Sequence, residues 1–292
     1  MALNIQVFKT RALTALIFVA VMLAGLLWNQ WSFFALFSLI HFGCWIEYQK
    51  LIALIDPAYK AISSVHRNII MLLGWGLMLL NASPQLHIGR ISLLGIGWYG
   101  VMLLTIVFCL NEIVLKKQLN LKVIGYSLLG LLYISVSWSF MLGLYNESIT
   151  VLGVFDAKAW ELPVILIASI WINDTMAYIV GSFIGKTPLS SISPKKTWEG
   201  TAGGAVLAIV VVTASCYFLF HIQNIKLLLI VSSTAAIVGT FGDLLESKLK
   251  RMAGVKDSGQ IMPGHGGFLD RFDSLLLATP VAWVLIELFV AI

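Results

Sequence analysis

Charge is scarce in this 292-residue sequence: 11% of its residues are Asp, Glu, Lys or Arg, where a soluble domain carries roughly 25%. With 59% apolar residues and a mean hydropathy of +0.93, that scarcity excludes an ordinary water-soluble fold. Proline is also sparse, at seven residues, while 24 glycines are scattered through the apolar runs. Closely packed helices in lipid fit that pattern better than a barrel of alternating strands of about ten residues. Cysteine is nearly missing. Cys44, Cys109 and Cys216 all lie inside apolar runs without a CxxC or histidine spacing, so they read as small buried hydrophobes, and nothing suggests redox or zinc chemistry. No Pro-rich or Ser-rich linker divides the chain, and no repeat of about 20 to 50 residues is visible.

What the sequence does have is long apolar runs. They fall at about 12–28, 31–49, 68–81, 91–110, 123–144, 161–183, 201–221, 227–243 and 274–291, all but the shorter 68–81 near the roughly 20 residues one bilayer crossing needs. The expectation is an all-α polytopic integral membrane protein of about nine transmembrane helices. The first run follows Lys9 and Arg11 as a signal peptide would, yet it lacks a small-residue cleavage site, and Trp28 to Trp31 lead straight into the second. It reads as a retained helix. With the N-terminus inside, sixteen of the nineteen Lys and Arg fall in inner segments, and only Arg90, Lys158 and Lys226 fall outside. Positive loops resist translocation, so this asymmetry predicts a cytoplasmic N-terminus and an outer C-terminus. Attraction of the net +5 charge to anionic lipid or nucleotide is secondary. Residues 1–160, five helices nearly free of buried acid, read as an N-terminal transmembrane scaffold. Residues 161–292, four helices with cytoplasmic loops, read as the catalytic transmembrane region.

Three polar clusters in that second region carry chemistry. Asn173-Asp174-Thr175-Met176-Ala177-Tyr178 sits inside the sixth run, where an ionisable group costs about 2.5–3.5 kcal/mol to insert and so faces protein or water. Helical spacing puts Asp174, Tyr178 and Gly181 on one face; the bland reading is an interhelical hydrogen bond. The second cluster is the inner loop through Gly181, Gly185, Lys186 and Thr187, then Ser193-Pro194-Lys195-Lys196-Thr197-Trp198-Glu199-Gly200. It is not a Walker loop, because three residues separate the glycines where four are needed and no strand precedes them. It offers Lys195 and Lys196 ahead of a helix whose first turn suits an anion, although, taken alone, this cluster is better explained as a basic loop that anchors to headgroups. In the third cluster Asp243, Glu246, Ser247 and Lys250 stand at i, i+3, i+4 and i+7, and Arg251, Lys256 and Asp257 follow. Then come Gly264, His265, Gly266, Gly267, Asp270, Arg271 and Asp273. Glycines permit close backbone approach, carboxylates are hard ligands for Mg²⁺, and lysines and arginines neutralise phosphates.

The run from Ser247 to Asp273, S-K-L-K-R-x4-K-D-S-G-x3-P-G-H-G-G-x-x-D-R-x-D, resembles the signature of phosphatidate cytidylyltransferases, also called CDP-diacylglycerol synthases. The Asn173–Tyr178 and Ser193–Gly200 segments look like two other blocks of that family, in the family's order. The resemblance covers about residues 171–274; the first 170 residues match only as apolar spans. Met262, Met176 and Ser182 depart from the family's usual choices of a branched or aromatic residue, a glycine and an arginine. The resemblance implies cytidylyl transfer from CTP to phosphatidic acid, giving CDP-diacylglycerol and pyrophosphate, with Mg²⁺ required and a second metal ion left open. By the same resemblance Asp243 and Asp270 are the metal ligands, with Asp174 a further candidate. Lys250 joins the two aspartates as catalytic. Lys195, Lys196, Arg251, Lys256, His265, Gly266, Gly267 and Arg271 are expected at the phosphates, and Ser247 supplies a hydroxyl. The expected partners are CTP, phosphatidic acid and membrane lipids, with no nucleic acid; homodimerisation is left open. The charge asymmetry puts the expected site on the cytoplasmic side, and the short segment ahead of the first helix suggests a bacterial inner membrane.

Two other classes compete. Asp174 and Asp243 within spans could couple ions in a secondary transporter, but no inverted repeat is visible and the polar residues gather toward one membrane face. A CTP-dependent lipid kinase, or a cytidylyltransferase for another lipid phosphate, differs only in its products and substrate. The aspartate-rich motif, beginning Asp-Gly, of enzymes that consume CDP-alcohols is absent.

Overall fold

The computed structural model describes residues 5–115, 119–151, 158–261 and 266–291. The chain is helical almost throughout these residues. In order come α1 (Ile5–Leu27), α2 (Gln30–Ile55), α3 (Pro57–Lys60), α4 (Ser64–Leu79), α5 (Leu93–Leu110) and α6 (Leu121–Gly130). They are followed by α7 (Val136–Val151), α8 (Glu161–Ile184), α9 (Trp198–Leu219), α10 (Ile225–Met252) and α11 (Leu269–Ala291). Two π-helical turns, Asn111–Leu115 and Leu131–Ser135, extend α5 and join α6 to α7. A short antiparallel hairpin pairs β1 (His87–Ile88) with β2 (Ile91–Ser92) around Gly89, whose φ of +64° favours glycine.

Among the described residues six helical rods are long and apolar enough to cross a membrane: Leu93–Val114, Leu121–Ser148, Glu161–Ile184, Trp198–Leu219, Ile225–Met252 and Leu269–Val290. Ala12–Leu27 is a shorter apolar helix. The protein is an all-α polytopic membrane protein. Two boundaries depart instructively from the apolar runs. The run at 227–243 ends at its first acid, yet α10 continues to Met252, because the polar residues after Asp243 keep helical spacing and have good helix propensity. α11 begins at Leu269 and not at 274, its first turn being capped by acids that hydropathy scores as loop.

Capping fixes the other ends. Asn29 and Ser32 form a reciprocal capping box at α2, Asp56 caps α3 ahead of Pro57, and Ser63, Ser92 and Asn120 cap α4, α5 and α6. Each accepts a backbone N–H that the first helical turn leaves without a partner. The Lys122 ammonium hydrogen-bonds the Asp56 carboxylate at 2.7 Å and, with the Ala58 amide, holds its pKa below the usual carboxylate range.

The chain forms two compact units, one of residues 1–142 with 249–272, the other of 143–248 with 273–292. In the first, Phe37, Trp45, Tyr59, Trp138 and Phe272 are almost fully buried. Trp138 meets Phe37 at 5.3 Å and Phe272 edge-on at 5.6 Å, geometries that aromatic rings favour. A buried polar string runs through the same unit: His66 bonds Glu112 at 2.7 Å and Ser127 at 2.8 Å, while His41 and Trp45 both reach the Ser135 hydroxyl. Cys44 is buried as expected, but Cys109 is exposed, because most of the α5 surface faces outward.

The second unit rests on glycine. A Cβ on Gly204 of α9 would fall 2.6 Å from the Ala177 Cα of α8, and one on Gly200 would fall 2.8 Å from the Ala177 carbonyl oxygen. The two backbones therefore touch, as small residues permit in membrane helices. A Cβ on Gly242 would likewise fall 2.6 Å from the Asp273 carbonyl oxygen and 3.0 Å from the Ser274 Cα, so α10 also lies close against that backbone. Those contacts place the polar clusters of three helices side by side.

Candidate functional site

In the second unit the polar residues of α8, α10 and the loop before α9 enclose a cavity of about 410 Å³. Asn173, Asp174, Ala177, Tyr178 and Gly181 form the α8 wall; Lys195, Lys196 and Thr197 close the loop side; Thr240 and Asp243 come from α10. Lys196 is the centre of charge. Its ammonium forms an ion pair with Asp243. Burial works against the charged lysine, but Asp243, with Asp174 and Asp273 behind it, outweighs that cost and raises the Lys196 pKa above the ordinary lysine range. Ser247 donates to Asp243 Oδ1 at 3.3 Å, and the Ser274 amide donates to Asp273 Oδ1 at 2.6 Å. Asn173 is only 3% exposed, and its side-chain carbonyl oxygen has no hydrogen-bond donor among the described residues.

Asp174 and Asp243 bring carboxylate oxygens to a cavity that Lys195 and Lys196 also line, and such hard donors suit a divalent cation. Among the described residues no group of three or more His, Cys, Asp or Glu is placed to hold a metal ion. Mg²⁺ does not require one, since it commonly takes one or two carboxylates and completes its octahedron with water and phosphate oxygens. Asp174 and Asp243, which line the cavity, have the donor chemistry to hold it.

The α9 N-terminus is less open to an anion than its sequence suggests. The Gly200 amide donates to the Thr197 hydroxyl at 3.1 Å. Glu199 reaches back to accept from the Lys186 amide and from both the amide and hydroxyl of Thr187, at 2.8–3.2 Å. The loop is thus tied to the helix start by a carboxylate already inside it. Lys195 stays exposed at the cavity rim.

In the first unit the segment from Lys250 to Asp270 builds a separate constellation. Lys250 donates to Asp270 Oδ1 at 2.6 Å, and the two side chains are only 12% and 7% exposed. Asp270 Oδ2 accepts from the amides of Ser258 at 2.9 Å and Gly267 at 2.8 Å, with the Ser258 hydroxyl at 2.9 Å. Gly266 supports that turn with φ of +82°, a conformation other residues adopt only with strain. Arg251 donates to the Val255 carbonyl at 3.2 Å; Arg251, Lys256 and Arg271 are exposed. His265 lies outside the described residues.

The sequence profile of the cytidylyltransferase family matches residues 9–289. The chain belongs to that family. A phosphatidate cytidylyltransferase of Bacillus subtilis is 35% identical over 221 residues, 75% of this chain and 77% of that protein. One of Staphylococcus aureus is 34% identical over 198 residues, 65% and 71% of the two. One of Staphylococcus haemolyticus is 48% identical over 118 residues; that match covers 40% of this chain and spans less than half, 45%, of its relative.

Within this family member the constellations include residues that motif reading did not assign. Asp273 closes the signature run without an assigned role, yet its carboxylate helps to raise the Lys196 pKa. Glu47, on α2, is 5% exposed and accepts from the Phe268 and Leu269 amides, each at 2.9 Å, and from the Ser258 hydroxyl at 2.8 Å. Its signal was a lone acid inside the second apolar run, the kind of residue that intramembrane cost marks as purposeful.

Proposed function

We propose that this protein transfers the cytidylyl group of CTP to phosphatidic acid, giving CDP-diacylglycerol and pyrophosphate. It is a nucleotidyltransferase of phospholipid biosynthesis. A phosphate oxygen of phosphatidate attacks the α-phosphorus of CTP; the α–β phosphoanhydride bond breaks, and its electron pair leaves with pyrophosphate. The attacking oxygen is already ionised, so the reaction needs no strong base. The obstacle is bringing two anions together, and fixed cations reduce it.

The observation that carries this reading is the Lys196–Asp243 ion pair at a cavity that Asp174 also lines, in a member of the cytidylyltransferase family. Lys196 and Lys195 would meet phosphate oxygens. Asp174 and Asp243 would hold Mg²⁺, which when bound neutralises phosphate charge and polarises the α-phosphorus. Asp270, preset by Lys250 and two amides, is the second carboxylate that the family signature nominates. Arg251, Lys256 and Arg271 are the further cations that the family signature nominates for phosphate.

We extend the proposal to nine spans, a cytoplasmic N-terminus and an outer C-terminus in a bacterial inner membrane. CTP then arrives from the cytoplasm and phosphatidate from the leaflet. Purified protein given labelled CTP and phosphatidic acid should yield a chloroform-soluble labelled product and pyrophosphate, with no turnover of ATP. Release of CDP with a phosphorylated lipid would mean a kinase, and no product with any lipid phosphate would overturn the reading.

A further inference from the structure

Glu47 belongs to the α2 stretch that composition assigns to scaffold, yet its carboxylate is spent on the segment that carries Asp270. Oε1 accepts the Phe268 amide and Oε2 accepts the Leu269 amide, both at 2.9 Å. These N–H groups belong to the start of α11, where the helix itself offers no acceptors. The cap therefore comes from another helix, more than 200 positions away in sequence. Ser258 joins the same carboxylate: its hydroxyl lies 2.8 Å from Glu47 Oε2 and 2.9 Å from Asp270 Oδ2. One hydroxyl carries a single proton, so Ser258 links the two carboxylates by donating to one at a time.

Space is fitted as closely as the hydrogen bonds. A Cβ on Gly259 or Gly267 would collide with the Glu47 carboxylate, so both turns are shaped to admit it. Gly267 also donates its amide to Asp270. The ends of the 258–270 segment are thus fastened to one buried anion, and the donors that fix Asp270 come from the fastened residues.

We propose that Glu47 is a positioning residue for the cytidylyl transfer: it holds Ser258, Gly267 and the start of α11 so that the Asp270 carboxylate is fixed before substrate arrives. It acts through Asp270 and touches no substrate. The proposal rests on the functional reading above for its kinetic arm only. Glu47→Gln keeps the size but turns an amide NH₂ toward a backbone N–H or the Ser258 hydroxyl, where an acceptor is needed.

The test combines kinetics with hydrogen exchange. Glu47→Gln should lower kcat by about 10²-fold, as misplacement near the chemistry does, with a smaller change in KM for CTP. Combined with Asp270→Asn it should add almost nothing, since residues acting as one unit are not additive. Amides of Ser258, Gly267 and Leu269 should exchange faster in Glu47→Gln while those of α4 and α5 stay unchanged. Normal kcat, full additivity with Asp270→Asn, or unchanged exchange at those amides would each overturn the proposal. If Glu47→Gln does not accumulate, Ser258→Ala decides: it must speed exchange at Gly267 and be non-additive with Asp270→Asn, and normal exchange there overturns the proposal. The exchange arm needs no turnover, so an inactive wild-type protein would count against the functional reading and not against this one.

Discussion

Lys250 and Asp270 meet at 2.6 Å, with both side chains largely withdrawn from solvent. The charge of Lys250 is therefore more than a topology signal. A lysine that only marked the cytoplasmic side would be free to snorkel toward water. This one is held by a carboxylate whose other oxygen is occupied by two amides and a hydroxyl.

Lys250→Ala should consequently lower both activity and stability. Sequence alone suggests a charge at the membrane edge with little bearing on folding. The pair changes that expectation, since truncation leaves Asp270 short of its cation and costs about 1–3 kcal/mol. Thermal unfolding in detergent checks the second effect; a Tm equal to wild type with reduced turnover would mean that Lys250 serves substrate alone.

Lys196→Met should reduce turnover by about 10²-fold, the scale of losing one fixed electrostatic stabiliser. It also leaves Asp243 without its ion-pair partner, so CTP should bind more weakly at low ionic strength. Initial rates at varied CTP measure both effects, and retention of normal kcat and KM would remove Lys196 from the site.

Asp243→Asn and Asp270→Asn should each lower turnover by at least about 10²-fold across a Mg²⁺ titration. Asp257→Asn, in the exposed loop, should be milder. If Asp243→Asn alone retains activity, Asp174 becomes the carboxylate to test next.

The alkaline behaviour of Lys196 has a definite sign. Its pKa is raised in the folded protein, so its ion pair contributes full stability below the ordinary lysine value and loses that contribution only as pH rises through the shifted one. Lys196→Arg, whose guanidinium does not titrate, should match the wild-type stability profile through neutral pH and diverge only above the ordinary lysine range. Chemical denaturation at a series of pH values checks this; divergence already at neutral pH would show that Lys196 is not held charged.

Topology is tested with single cysteines placed near Lys117, Lys158 and Lys256. In intact cells an impermeant thiol reagent should label only the site near Lys158. Labelling at 117 and 256 in place of 158 would reverse the orientation.

Much of the helical plan was legible because apolar runs and capping residues are local signals. The run at 161–183 and α8 at Glu161–Ile184 differ by one residue. The C-terminal part of α10 was not legible from hydropathy, since six of the nine residues from Asp243 to Arg251 are polar although their spacing is helical. At the site, Asp174, Tyr178 and Gly181 could be put on one face by counting, and the cavity has all three on its wall. Glu199 and Glu47 were opaque for a different reason. Most of their partners are backbone amides at distances of 12 to 222 residues along the chain, and backbone amides leave no trace in residue identity.

The glycine seam between α8 and α9 bears on how the cavity can change. With Gly200 and Gly204 set against the Ala177 backbone, that stretch of the seam cannot be tightened or loosened by swapping rotamers. Its spacing is a backbone dimension and behaves as a fixed jaw beside the cavity. Trimming Tyr178, Lys195 or Thr240 frees only the space those side chains fill, whereas a methyl group added at Gly200 or Gly204 must separate two helices and with them Ala177 and Thr201, which line the cavity.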